Sequence, residues 1–260
     1  MASEVNCLPA NVRRGFYETV FRRRDIRSFL PDPIPDEVLA RVLVAAHHAG
    51  SVGFTQPWSF LIVRDLDRRQ RIKRVFEEER IINAAQFDLA RRAEFMALKL
   101  EGILEAPLNL IVTCERGRFG PGVLGKTALD DVEVYSTCLA VQNLWLAARA
   151  EGLGVGWVSI LRNDAIRDIF QIPEAILPVA YLCIGYVEAF PPRPMLEDVG
   201  WAKRLSPRAL LRFDSWENDS GDGDELARLV EDASIWREIF PPEQWPSERL
   251  QQDHHENQEK

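Results

Sequence analysis

Four arginines, Arg22, Arg23, Arg24 and Arg27, fall within six positions and enclose one carboxylate, Asp25. Cations packed this closely repel one another unless an anion or acidic neighbours compensate. A phosphate provides that compensation, and the planar guanidinium fork matches its oxygens. Runs of this kind are more often solvated turns. Here, though, the run stands in a chain of formal net charge −8, between a helical pattern and an extended Ser28-Phe29-Leu30 segment, which favours anion binding. Asp25 is the odd member, because a carboxylate beside a phosphate is electrostatically unfavourable. Two roles are open to it: pairing with Arg23 or Arg27 to hold their side chains, or acting as an acid or base beside a bound ligand, tuned by the arginines and by burial.

Other groups carry less. Gly152-x-Gly154-x-Gly156 follows a helical pattern and opens a strand, the reverse of a dinucleotide fingerprint, so a helix stop and tight turn is expected. Permissive backbone there would still let a flat ligand approach. His47 and His48 are adjacent on a helix and point to different faces, so they do not form a chelating pair. His254 and His255 lie in a polar tail. No G-x-S-x-G elbow or Ser/His/Asp signature is present. By spacing alone Ser159 reads as a hydrogen-bonded hydroxyl inside a strand.

The elements that must position these groups are legible from periodicity. A short helical pattern from Phe16 runs into the arginines. Pro35 opens a helix in which Val38, Leu39, Val42, Leu43, Ala45 and Ala46 recur at helical spacing. After Gly50 and Gly53, residues 58–63 read as a buried strand. A charged helical region covers about 67–104, and Pro107 ends it. Residues 108–113 form the second strand, and 116–126 a loop. Residues 132–150 form the most apolar helix, stopped by Gly152. A third strand is expected over 155–160, a short helix over 164–170 and a fourth strand over 178–187. This alternation predicts a sheet with helices packed on it.

The acidic balance argues against a nucleic-acid partner. No apolar stretch is long enough to span a bilayer, and Met1-Ala2-Ser3-Glu4 does not open a signal peptide. The four cysteines, Cys7, Cys114, Cys138 and Cys183, are scattered without metal spacing, as expected of free thiols in a reducing cytoplasm. One domain is expected over 1–213. Residues 214–260 then form an acidic, partly disordered tail with a turn-rich linker at 218–224 and a short helical pattern near 226–239. Trp236, Phe240 and Trp245 leave room for packing on a partner subunit.

Several stretches together resemble a known family. Arg23-Arg24-x-x-Arg27 followed by Phe29, a helix ending in Ala45-Ala46, and Ser51-x-x-x-x-Gln56-Pro57-Trp58-x-Phe60 look like the N-terminal half of nitroreductases. Gln142-Asn143-Leu144, Gly152-Leu153-Gly154, Ile184-Gly185-Tyr186 and Arg193-Pro194-Met195 continue that order. The resemblance covers roughly 16–201. Within the superfamily the chain is most similar to the 5,6-dimethylbenzimidazole synthases, or flavin destructases. Asp25 stands where a plain nitroreductase usually has Ser, and Phe54 where it usually has Asn. Thr55 departs from the Met common in the synthases.

This resemblance implies an α+β fold, with a mixed sheet flanked by helices and an intertwined homodimer that holds FMN at its interface. It places Arg22, Arg23, Arg24, Ile26, Arg27 and Arg193 at the phosphate and ribityl end. Ser51 and the Gly156-Trp157-Val158 backbone would border the ring, and Asp25 and Ser159 would do chemistry on the flavin. The charged helices over about 80–104 would form a lid. The implied reaction consumes reduced FMN with O2 as co-substrate, the flavin being reduced by a separate reductase, and supplies the lower ligand of cobalamin. A recycling NAD(P)H-dependent nitroreductase or flavin reductase, and a non-catalytic flavin binder, are the alternatives.

Overall fold

The computed structural model describes residues 7–125, 129–217 and 225–232. In chain order the elements are α1 (Ala10–Arg22), α2 (Asp36–His47), β1 (Trp58–Val63), α3 (Leu66–Ala84), α4 (Leu89–Ala97), β2 (Leu108–Glu115), α5 (Val132–Ala150), β3 (Leu153–Val158), α6 (Asn163–Phe170), β4 (Ile176–Tyr186), α7 (Met195–Asp198) and α8 (Glu225–Leu229). They divide into two compact units, one of residues 23–190 and one that joins the N-terminal segment through Arg22 to the chain from Pro191 onward.

The larger unit is an α+β sandwich. Its four strands run in the order β1-β2-β4-β3, and each neighbouring pair is antiparallel. The parallel component is a backbone bridge between Asp25 and Val155, which lays the arginine segment along the outer edge of β3. Both faces of the sheet are covered, so β2 is buried along nearly its whole length and lacks a simple in–out alternation of polarity. Leu110, Val112, Leu182 and Ile184 face one core, closed by α2 and α5 through Val42, Ala46, Val141 and Leu144. Ile111, Tyr181 and Cys183 face the other, closed by α3 and α6 through Ile72, Phe76, Ile166 and Phe170. Tyr181, fully inside, donates its hydroxyl to the Asn109 Oδ1 at 2.7 Å. This satisfies a phenol that burial would otherwise penalise.

α5 stops where Gly152 takes a left-handed conformation, φ +78°, that a side chain disfavours. The charged region holds two helices. Asp65 caps α3 by accepting from the Arg68 N–H, and Asp88 caps α4 by accepting from the Arg91 N–H, each at 2.9 Å. The chain beyond Ala97 is irregular but anchored. Ile103 is fully buried, and the buried Arg69 guanidinium donates to the carbonyls of Ile103 and Ala106.

β3 spans 153–158, two residues earlier than expected. Val158 pairs with Tyr181, whereas Ile160 packs on the core without a strand partner. A short apolar run does not distinguish a paired strand from apolar coil. As a result Ser159 lies just past the strand end and is exposed, which corrects the expectation of a core hydroxyl.

In the smaller unit, α1 sets Phe16 edge-on to Tyr17 and buries no side chain, and Arg22 pairs with Glu18 one turn back at 3.1 Å. α7 follows Pro194, and Arg193 pairs with Asp198 at 2.8 Å. Ser206 donates its hydroxyl to Glu231. The linker at 218–224, Trp236, Phe240, Trp245 and both tail histidines lie outside the described residues. Among the described residues no helix is long and apolar enough to cross a membrane.

Candidate active site

The arginine run leaves α1 as extended chain and docks on β3. The Ile26 N–H donates to the Val155 carbonyl at 3.0 Å, and the Ile26 side chain is buried, so neither faces outward. Docking this close needs the glycines of β3. A Cβ on Gly156 would lie 2.1 Å from the Ile26 oxygen, and one on Gly154 would lie 2.9 Å from the Ile26 side chain. The permissive backbone predicted near Gly156 therefore admits the arginine segment itself.

Asp25 sits in the resulting crease. Its Oδ1 accepts the Trp157 N–H at 3.0 Å, and its Oδ2 accepts from Arg27 Nη2. The same Nη2 donates to the Trp157 carbonyl at 2.9 Å, which closes a ring of contacts between the run and β3. The carboxyl is pushed above its ordinary aspartate value. Loss of water to the surrounding protein outweighs the opposing effects of Arg27, the Trp157 amide and Arg23. The side chain remains 45% exposed, so it keeps an open side toward solvent or a ligand.

The other arginines are held differently. The Arg23 guanidinium lies 4.6 Å from the centre of the Trp145 ring, and Trp145 donates its Nε1–H to the Arg24 carbonyl at 3.2 Å. Arg24 is buried and donates to the Arg23 carbonyl at 2.8 Å. Trp145 was not singled out from sequence; its signal is a large aromatic on the helix whose C-terminal end leads into the glycine turn. Arg22 and Arg193 belong to the smaller unit and make the ion pairs described there.

Ser51 opens a tight turn. Its Oγ accepts the Gln56 N–H at 3.1 Å, and within the turn Gly53, Phe54 and Gln56 all have positive φ, at 52°, 57° and 44°. Two further residues hold this turn. Ser136, a buried hydroxyl in the most apolar helix, accepts the Val52 N–H at 3.1 Å. Arg118 donates to the Gln56 and Trp58 carbonyls and to Ser59 Oγ. Phe54 at the tip is 79% exposed. Trp157 is half-buried beside Trp145, with ring centres 6.5 Å apart, while the Val158 side chain is in the core.

On its far side the run meets the end of the charged helical region. Lys99 Nζ donates to Ser28 Oγ at 3.0 Å, and a Cβ on Gly102 would lie 2.9 Å from the Arg27 oxygen. The crease thus offers an exposed carboxyl with cationic neighbours. Among the described residues no group of acidic, histidine or cysteine side chains is suited to a metal.

Residues 20–186 match the family model described as the nitroreductase family. A 5,6-dimethylbenzimidazole synthase of Rhodospirillum rubrum is 42% identical over 190 residues, which is 73% of this chain and 90% of that protein. A 5,6-dimethylbenzimidazole synthase of Rhodobacter capsulatus is 35% identical over 193 residues, covering 74% and 93%. A crystal structure of oxidized iodotyrosine deiodinase bound to FMN and 3-iodo-L-tyrosine shares the fold, with a TM-score of 0.61 and 22% identity, covering 77% of this chain and 100% of that one. The chain belongs to the nitroreductase family and, within it, to the 5,6-dimethylbenzimidazole synthases.

Proposed function

We propose that the chain fragments reduced FMN in the presence of O2 to 5,6-dimethylbenzimidazole and erythrose 4-phosphate, supplying the lower ligand of cobalamin. The observation that carries this reading is the Asp25 carboxyl, held by the Trp157 amide and Arg27, partly open, with its charged form disfavoured by lost hydration. A group so placed can take and return a proton, whereas a serine at this position is a poor general base.

The donor set fits FMN. Arg23, whose guanidinium lies over the Trp145 ring beside the crease, supplies a cationic donor for a phosphate. The family resemblance assigns the ring edge to Ser51 and the Gly156-Trp157-Val158 backbone, whose Trp157 N–H and carbonyl bond Asp25 and Arg27 in the free protein. When bound, reduced FMN supplies the electrons for O2 and the carbon skeleton of the products. The protein orients the ring through its remote phosphate contacts, moves a proton at Asp25 and offers a hydrogen bond from Ser159, whose hydroxyl is exposed just past β3.

A homodimer accompanies this reading. α5 packs the core, yet it leaves Tyr135 and Leu139, one turn apart, 59% and 53% exposed, as a face for a second copy. The flavin arrives reduced by a separate reductase, and the scattered cysteines Cys7, Cys114, Cys138 and Cys183 suit the cytoplasm.

The test mixes the purified protein with FMNH2, admits air and looks for dimethylbenzimidazole by mass spectrometry. Product in proportion to enzyme is expected. Quantitative recovery of intact FMN, or many turnovers of NAD(P)H with bound flavin unchanged, overturns the reading and favours a recycling reductase.

A further inference from the structure

The expected assignment of Arg27 to the flavin phosphate conflicts with what its guanidinium touches. Its Nη2 carries two hydrogens, and both are committed, one to Asp25 Oδ2 and one to the Trp157 carbonyl. Nη1 leans on the Ile26 carbonyl at 3.4 Å, and only 14% of the side chain is exposed. Arg23 instead stacks on Trp145. Within the run, Arg27 is thus the arginine turned inward on the carboxylate.

We propose that Arg27 is a positioning residue, which aims the Asp25 carboxylate and favours its charged form, and is not a phosphate ligand. The clamp is bidentate in effect. Trp157 offers its N–H to one carboxylate oxygen, Arg27 fills the other, and the Trp157 carbonyl fixes Arg27 in turn. Its geometry depends on Gly156, because a Cβ there would lie 2.6 Å from Arg27 Nη1. The groups acting on Asp25 are Arg27 and Arg23 from its own segment and the Trp157 amide from β3; of these Arg27 is the strongest, and it opposes the lost hydration that disfavours the charge. Replacing Arg27 by a neutral side chain of similar bulk thus leaves Asp25 desolvated with less to hold its proton off.

The inference rests on the reaction proposed above, but its test does not. The Asp25 carboxyl is followed by 13C NMR in aspartate-labelled protein, with Asp25→Asn to assign the signal, in the wild type, Arg27→Met and Arg27→Lys. FMN affinity is measured in parallel by fluorescence quenching, and folding by circular dichroism. In Arg27→Met the carboxyl is expected to titrate at higher pH, with the basic shift carried into the acid limb of the pH–rate profile. kcat falls about tenfold or more, as for a misplaced proton-transfer group, while KM for reduced FMN changes little. Arg27→Lys, which keeps the charge, restores most of the titration and part of kcat. An unchanged Asp25 titration in folded Arg27→Met overturns the proposal, as does a loss confined to FMN affinity. If the titration moves but the wild type makes no dimethylbenzimidazole, the reaction falls and the clamp stands.

Discussion

Gly156 and Ile26 approach so closely that a Cβ on Gly156 would lie 2.1 Å from the Ile26 carbonyl oxygen. The contact is between two stretches of backbone, so no side-chain rotation relieves it. Everything that shapes the crease depends on this approach: the Asp25–Val155 bridge, the Trp157 bond to Asp25 and the seating of Arg27.

Gly156→Ala should push the arginine run off β3. Overpacking of this kind costs about 1–3 kcal/mol, read as a lower midpoint in urea denaturation. Product formation should fall more than stability does, because the Asp25 clamp opens first. A variant with wild-type stability and rate would show that the close approach is dispensable.

Asp25→Asn separates stability from chemistry. The folded state raises the carboxyl's pKa, so this group's contribution is fully present below the ordinary aspartate value and is lost as pH rises through the folded value. Removing the titration should make the flavin-free variant relatively more stable than wild type near neutral pH, with the difference shrinking in acid. Dimethylbenzimidazole formation should fall by about 100-fold or more. Denaturation curves across pH, beside the rate, check both; a stability difference that grows in acid would mean that folding lowers the carboxyl's pKa instead of raising it.

Phe54 holds φ +57° with its ring mostly in solvent, so the strain is offset by little burial. Phe54→Gly should raise the stability of the isolated chain by about 1 kcal/mol, measured by thermal denaturation. If product formation drops at the same time, the exposed ring serves the bound state or the second subunit. Destabilisation by this change would mean that the ring packs in solution.

Cys183 is buried between the sheet and the α3–α6 layer, and burial pushes its thiol up to about 12. Cys114 is raised by the same cause, whereas Cys7 is exposed. Brief iodoacetamide treatment of the folded protein should label Cys7 and spare Cys114 and Cys183, with both labelled after denaturation. Peptide mass spectrometry reads this directly, and native labelling of Cys183 would contradict its placement.

Local signals in the sequence were enough for much of the fold. The span of β1, the start of α2 after Pro35 and the stop of α5 at Gly152 follow from side-chain periodicity and turn chemistry, which act over a few residues. The arginine run and Asp25 were likewise visible as a concentration of charge, and the family resemblance assigned them to a flavin. The two roles open to Asp25, as partner to an arginine or as an acid or base, could not be separated, because both use the same residues.

Tertiary structure decided which partners those residues have. Asp25 meets a peptide group 132 positions away, Arg27 turns from the expected phosphate toward that carboxylate, and β3 ends before Ser159 because Val158 is the last residue to find a partner on β4. The start of α4 at Asp88 is written locally, as an N-cap, whereas the irregular chain near Ile103 is held by Arg69 of α3. The physical reason is range. Helix and strand propensities are set by neighbours along the chain, whereas the hydration, charge and aim of a functional side chain are set by whatever the folded backbone brings within hydrogen-bonding distance.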